Sequence, residues 1–366
     1  LNTARFSLGS GGADNTSAVA FGGESTAKHA VTETWNGSSW TETGDLSTTR
    51  AILAGSGIAT DALAFGGTTD SSPIVAVTEE FTGAGAAVGA WATGGSMNTA
   101  RSGAAAAGSE TTTIASGGNT GSVSAVAEVY NGTNWTNVNS MNTARDGLAG
   151  SGTSTAALSF GGNSPPGIRN ETEVWNGSNW TAAAVLNTAR RNLGAAGTST
   201  AALAIGGEPP KTAKVEQWNG SGWTEIADLN SARNQLSSNG TITSALAFGG
   251  EAPGGITAIT ESWNGSSWTE INDLNLTKRE SGGAGADSTT ALSFAGITPA
   301  GNTQTNTEDW NGASWSEVAD MSVGRRVLQG SGNATLALAS GGYTTTQVAN
   351  TEEWSPGKTV KTVDTD

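Results

Sequence analysis

Cysteine is absent from this sequence and histidine occurs once, at His29. Without cysteine there are no disulfides, and without a Cys/His set there is no conventional zinc centre, so stability has to come from packing. The same absence leaves the compartment open, because a reducing cytosol permits it and so does a secreted or virion protein that does without bridges. Basic residues are scarce. Against 32 Asp and Glu stand 17 Lys and Arg, a net charge of -15, which argues against nucleic acid or an anionic membrane as partner. No apolar run approaches the roughly 18 residues that cross a bilayer, and no charged-then-apolar segment opens the sequence. Its first residue is Leu1, as expected of a processed product or an excised domain.

Glycine and tryptophan are plentiful, at 53 and 13 residues, and both recur in register. Three landmarks repeat in fixed order. A Leu/Met-Asn-Thr-Ala-Arg box ends at Arg5, Arg50, Arg101, Arg145, Arg190, Arg233, Lys278 and Arg325. An apolar run then closes on Gly-Gly, as at Gly22-Gly23 or Gly249-Gly250, with Ala295 replacing the first glycine once. Last comes a pair of rings five positions apart: Trp35 and Trp40, Trp175 and Trp180, Trp218 and Trp223, Trp263 and Trp268, Trp310 and Trp315, and Tyr130 with Trp135. Phe81 and Trp91 keep the rings over a longer loop, and Trp354 stands alone. Starting each repeat at its box divides 1–366, read as one domain, into 1–45, 46–96, 97–140, 141–185, 186–228, 229–273, 274–320 and 321–366.

A period in the mid-forties is too long for a β-helix rung, and the Gly, Thr and Trp content does not suit helical repeats. Four short strands fit. In the fifth repeat strand a is expected in 190–196, b in 201–205, c in 214–218 and d in 222–227, each bounded by turn residues. The fold class that follows is all-β: an eight-bladed β-propeller of four-stranded antiparallel blades. Small residues on a and b suit the crowded axis, and rings on c and d fill the wider gaps between blades. Each blade is expected to take its four strands from one repeat, without a strand donated from elsewhere in the chain, the last blade ending on 360–363.

The ring pairs read first as packing between blades, with a sugar-stacking platform as the rival; the Asn-Gly-Ser stretches between them match a glycosylation sequon but suit hairpin turns. Two residues before the first ring stands a glutamate in every repeat: Glu33, Glu79, Glu128, Glu173, Glu216, Glu261, Glu308 and Glu352. Eight carboxylates match eight box cations, so structural ion pairs are expected, the alternative being catalytic or calcium-binding carboxylates.

Strand direction alternates, so the bc and da loops emerge on one face and the ab and cd loops on the other. The bc loops diverge most. They hold seven of the eight prolines, Pro73, Pro165, Pro166, Pro209, Pro210, Pro253 and Pro299, together with His29, Arg169, Lys211, Lys214 and Tyr343. A rigid scaffold with one varied loop set suits a binding face, and these are the candidate binding residues.

Arg box, apolar run to Gly-Gly, then Glu-x-aromatic and Trp is an order of landmarks that resembles kelch repeats over the whole chain. The loop between the rings is two residues shorter than is usual in kelch repeats. The resemblance implies a propeller and a binding scaffold. The copper chemistry of galactose-oxidase-like kelch enzymes needs Tyr, His and a Cys-crosslinked Tyr, and the absence of Cys excludes it. The Ala/Gly/Thr/Asn-rich repeats are also similar to kelch-type repeats in phage structural proteins. That implies a non-catalytic interaction module in a phage tail or another extracellular or virion-associated assembly, without a cofactor, meeting a protein or glycan on a host surface. A lectin-like sugar binder is the second reading, and a carboxylate-dependent enzyme the third.

Overall fold

The computed structural model describes residues 1–14, 17–58, 61–71, 74–82, 88–357 and 361–363. All regular structure among them is β, in eight four-stranded antiparallel sheets and two small hairpins. Sheets 1 (9–42), 3 (105–138), 4 (149–183), 5 (194–225), 6 (237–271) and 7 (282–318) each take strands a to d from one repeat. In the fifth repeat the strands are Gly194–Gly197, Ala202–Ile205, Val215–Trp218 and Trp223–Glu225. Strands b, c and d fall within the expected segments, trimmed at their ends, and strand a starts four residues late and runs one residue past its segment to Gly197.

Sheets 2 and 8 depart from that plan. Sheet 2 has Ala54–Ile58, Asp61–Phe65 and Thr78–Thr82, and its outermost strand is Lys361–Val363. Sheet 8 has Gln329–Gly332, Ala337–Ser340 and Thr351–Gly357, with Val88–Gly94 outermost. The expectation of no donated strand is therefore corrected: Phe81 and Trp91 lie in different sheets, and the final segment, whose Val360 is outside the described residues, does not complete the last repeat. The physical reason is the turn. These are the two repeats that lack Asn-Gly after the first ring, and without a tight hairpin nothing local holds strand d beside its own strand c.

Elsewhere the turn sets the register. Asn36 accepts from the N–H groups of Ser38 and Ser39 at 3.0 Å, and Gly37 has φ of 92°. A four-residue loop results, placing Trp35 directly opposite Trp40. Across six hairpins the paired ring centroids are 5.2 to 5.6 Å apart.

The chain divides into two compact units, Leu1–Gly89 with Pro356–Asp366, and Ala90–Ser355. The first contains sheets 1 and 2, packed through Val19 and Phe21 against Leu46, Leu53 and Phe81. The second contains sheets 3 to 8. Its six a strands surround a common cavity, and sheet 8 meets sheet 3 through the same contacts that join neighbours along the chain. Gly342 N–H donates to Arg101 O at 2.7 Å, as Gly207 does to Arg233 at 2.8 Å; Trp135 Nε1 donates to Thr351 Oγ1 at 3.0 Å, as Trp223 does to Thr172 at 3.0 Å. This arrangement is consistent with a propeller. Eight blades about one axis are not confirmed, since six sheets close the ring of this unit.

The Gly-Gly landmark makes that junction. Gly250 has φ of 97°, outside the left-handed helical region, and a Cβ there would sit 2.7 Å from the Asn234 carbonyl oxygen. The first position adopts φ near 60°, a conformation that Ala295 also reaches at 58°, whereas the second is glycine in all eight repeats. Between sheets the core is apolar. Leu203 and Ile205 of sheet 5 pack on Leu229, Leu236, Trp263 and Trp268, each fully or nearly fully buried.

Candidate binding site

Each box cation meets the glutamate of its own repeat. Arg5–Glu33, Arg50–Glu79, Arg145–Glu173, Arg190–Glu216, Arg233–Glu261, Lys278–Glu308 and Arg325–Glu352 lie 2.5 to 3.3 Å apart, and Arg101 pairs with Glu128. All sixteen side chains are essentially buried. The second carboxylate oxygen accepts the N–H of the box's second residue at 2.5 to 2.7 Å, from Asn2 and Ser47 through to Ser322. The Asn142 side chain in turn reaches the Trp180 carbonyl at 3.2 Å, tying the box to strand d. Burial raises the pKa of Glu33, but hydrogen bonds from Asn2, Thr3 and Arg5 outweigh it and hold the carboxyl below its ordinary value. Burial lowers the Arg145, Arg190 and Arg233 guanidiniums, their glutamates opposing the shift. These carboxylates are committed to the box backbone and its cation. Among the described residues no three of His, Cys, Asp or Glu lie close enough to hold a metal ion.

The two residues after each box cation turn inward on the ring of the second unit. A circle of backbone hydrogen bonds, 2.7 to 3.0 Å long, runs from Gly103 to Val327, Glu280, Gln235, Asn192, Gly147 and back to Gly103. Every member has φ between 53° and 60°. For Val327 this is a strained conformation, worth on the order of 1 to 3 kcal/mol, sustained by closure of the circle.

Above the circle, on the bc side, opens a pocket of about 270 Å³ lined by Asn119, Asp146, Arg191, Arg326, Tyr343 and Gln347. Beneath it a cavity of about 180 Å³ continues between the inner strands, with Asn192, Gln235 and Glu280 in its wall. Charges around the mouth alternate. Lys211 pairs with Glu251 at 2.7 Å, Glu251 with Arg279, and Glu280 with Arg326 at 2.7 Å, whose guanidinium lies 5.0 Å from the Tyr343 ring centre. Arg191 pairs with Glu208 at 3.3 Å, and Asp146 accepts from Asn119 and Asn163. The Lys211 hydrogen bond, with Arg279, keeps the Glu251 carboxyl below its ordinary value against the effect of burial.

Of the sequence candidates, Tyr343 lines the pocket and Lys211 joins the chain of charges. Pro165, Pro166, Pro209, Pro210, Pro253 and Pro299 are exposed at the tips of the same loops. Arg169 lies 3.7 Å from Glu171, and Lys214 pairs with Glu225 of strand d at 2.7 Å, away from the mouth. His29 belongs to the first unit, its ring 2.8 Å from Ser25 Oγ. Pro73 lies outside the described residues. Sequence reading passed over Asn119, Asp146, Arg191, Arg326 and Gln347, and a signal existed for three of them. The box is constant, but the two residues after it run Asp-Gly, Arg-Asn, Asn-Gln, Arg-Glu and Arg-Val in successive repeats from Asp146 to Val327. The chain matches no protein-family model and no curated protein.

Proposed function

We propose that this chain is a non-catalytic binding module of kelch-like propeller type, and that its contact surface is the bc face around the pocket of the second unit. The observation that carries the reading is convergence. The variable residues of two different loop sets, bc and the positions just after each box, meet around one mouth, whereas the cd turns on the opposite face repeat Asn-Gly almost unchanged. Binding rather than acid–base chemistry is supported by the commitment of the carboxylates around the pocket: Glu251, Glu280 and Glu208 each face a neighbouring cation, and Asp146 in the lining accepts from the Asn119 and Asn163 amides. A protein or glycan on a host surface is the proposed partner, and a phage tail or another extracellular assembly the proposed setting.

A sugar is favoured within that reading by one feature: an aromatic ring, Tyr343, stands beside amide, carboxylate and guanidinium groups that suit hydroxyl donors and acceptors. The test replaces 163–169 and 208–214 by Gly-Ser loops of equal length and, separately, Tyr343 by Ala, with attachment to host cells and binding to a glycan array as readouts. Loss of attachment in the loop variant supports the bc face, and loss of glycan binding in Tyr343→Ala assigns the sugar to the mouth. Full attachment by a well-folded loop variant removes the bc face as the contact surface.

A further inference from the structure

The first unit ends in two faces that every other sheet buries. Strand b carries its large residues on the side turned to the following sheet, and the counterparts of Leu63, namely Val19, Ile114, Leu158, Leu203, Leu246, Leu292 and Leu338, are all at most 1% exposed. Leu63 itself is 42% exposed and Phe65, two residues on, 39%. At the turn beside them, among the described residues a Cβ on Gly66 would meet only the Val75 carbonyl at 3.7 Å, whereas one on Gly22, Gly161 or Gly249 would meet the next repeat's box carbonyl at 2.6 to 2.7 Å. This is the face that a following sheet covers, and it forms the tail of the unit.

The opposite side of sheet 1 is the face that a preceding sheet covers. The first box residue lies buried against the preceding sheet in later repeats, as Leu186 does on Leu158 and Phe160, yet Leu1 is 45% exposed. Trp40 and Ala18 are half-buried where Trp223 and Ala202 are buried. This side is the head. In the second unit both kinds of face are consumed by ring closure, Leu338 and Met97 packing with Trp135. The surface that fits the tail, within the described residues, is thus the head of another first unit.

We propose that copies of this chain associate head to tail through the first unit, the Leu63 and Phe65 face of one copy receiving Leu1, Ala18 and Trp40 of the next. The contact is the sheet-to-sheet packing seen six times in the ring of the second unit, transferred between chains. Such an interface is heterologous, so it closes only when the rotation returns to its start. Because that step closes in six sheets in the second unit, three copies of a two-sheet unit close the same circle.

The test is light scattering on the full chain across a wide concentration range, with two charged blocks at exposed or half-buried positions. Leu63→Asp blocks the tail and Ala18→Arg blocks the head, and circular dichroism verifies that each variant is folded. The expected result is a parent mass that rises from one copy to three, and a mass of one copy for each variant alone. An equal mixture of the two variants then pairs at two copies, because one intact head and one intact tail remain. A parent that stays at one copy at all concentrations, as an eight-sheet ring closed within a single chain would do, overturns the proposal. So does a mixture that stays at one copy.

Discussion

Arg145 donates from one nitrogen to the carbonyls of Gly161 and Glu171, at 2.8 and 2.7 Å, and from the other to Glu173 at 3.0 Å, so its planar fork joins three segments at once. Glu173→Ala leaves this buried cation without its counter-charge and frees the box N–H groups it held. A loss of about 3 kcal/mol is expected in denaturant melts, and an unchanged midpoint would mean the pair contributes nothing. Lys278 supplies the complementary case. Its ammonium reaches Glu308 at 3.3 Å and Ser293 O at 3.3 Å, a point charge where seven other repeats have a fork. Lys278→Arg is therefore expected to raise stability by about 1 kcal/mol, measured the same way. Asp309, on strand c of sheet 7, is pushed up to about 6 by burial. A carboxyl whose folded pKa is raised contributes fully below its unfolded value and loses that contribution as pH rises through about 6. A rise of that size from the ordinary carboxylate range corresponds to about 3 kcal/mol, which partial exposure reduces to about 1 to 2. Asp309→Asn should then be more stable than the parent at pH 8, with the gap closing by about pH 4; equal stability at both pH values would show a solvated carboxylate.

Adjacent sheets are joined by hydrogen bonds whose partners vary with sequence. Trp223 and Trp315 donate to the hydroxyls that open strand c of the preceding sheet, Thr172 and Thr260, at 3.0 and 3.1 Å. For Trp268 the corresponding residue is Val215, and the indole N–H is buried without a partner. Val215→Thr would restore a hydroxyl there. Its effect should be more favourable with Trp268 present than in a Trp268→Phe background, by about 1 kcal/mol in a double-mutant cycle. A coupling of zero would show that the hydroxyl does not reach the indole. Such details follow from the repeat, which is why so much at this scale was legible in the sequence. Strand positions, the placing of both rings on one face and the glycine that is always second all come from short spacings. Arg191 and Arg326 carried a signal in their variation between repeats, but a residue beside a constant box looks like loop filler until six boxes are brought around one axis. Val88–Gly94 and Lys361–Val363 were marked only as irregular. Their true partners are hundreds of residues away, and no local spacing encodes them.

The ring of the second unit depends on that exchange. Sheet 8 would end on the open edge of Thr351–Gly357 were Val88–Gly94 not beside it, and an exposed edge leaves a row of backbone donors and acceptors unpaired. Gly94 belongs to that seam: a Cβ added to it would stand 3.0 Å from Glu353 Oε1 and from the Tyr130 hydroxyl, which itself donates to Glu353. Sheet 3, through Tyr130, and sheet 8, through Glu353, are thus fastened together where the ring closes, and burial with the neighbouring Glu353 carboxylate raises the Tyr130 phenol to about 12. A phenol held this way stays protonated and keeps donating across the seam at any pH below about 11. Removal of the outer strand is therefore expected to act on closure itself. A chain of residues 88–357 should unfold in one cooperative transition by circular dichroism, because it retains all six sheets with four strands each. One starting at residue 97 keeps every inner contact but loses the seam, and its midpoint should fall, with faster amide exchange at Thr351 to Trp354 as the local signature. Equal midpoints and equal exchange for the two chains would mean that face packing between sheets 3 and 8 closes the ring without help from the donated strand.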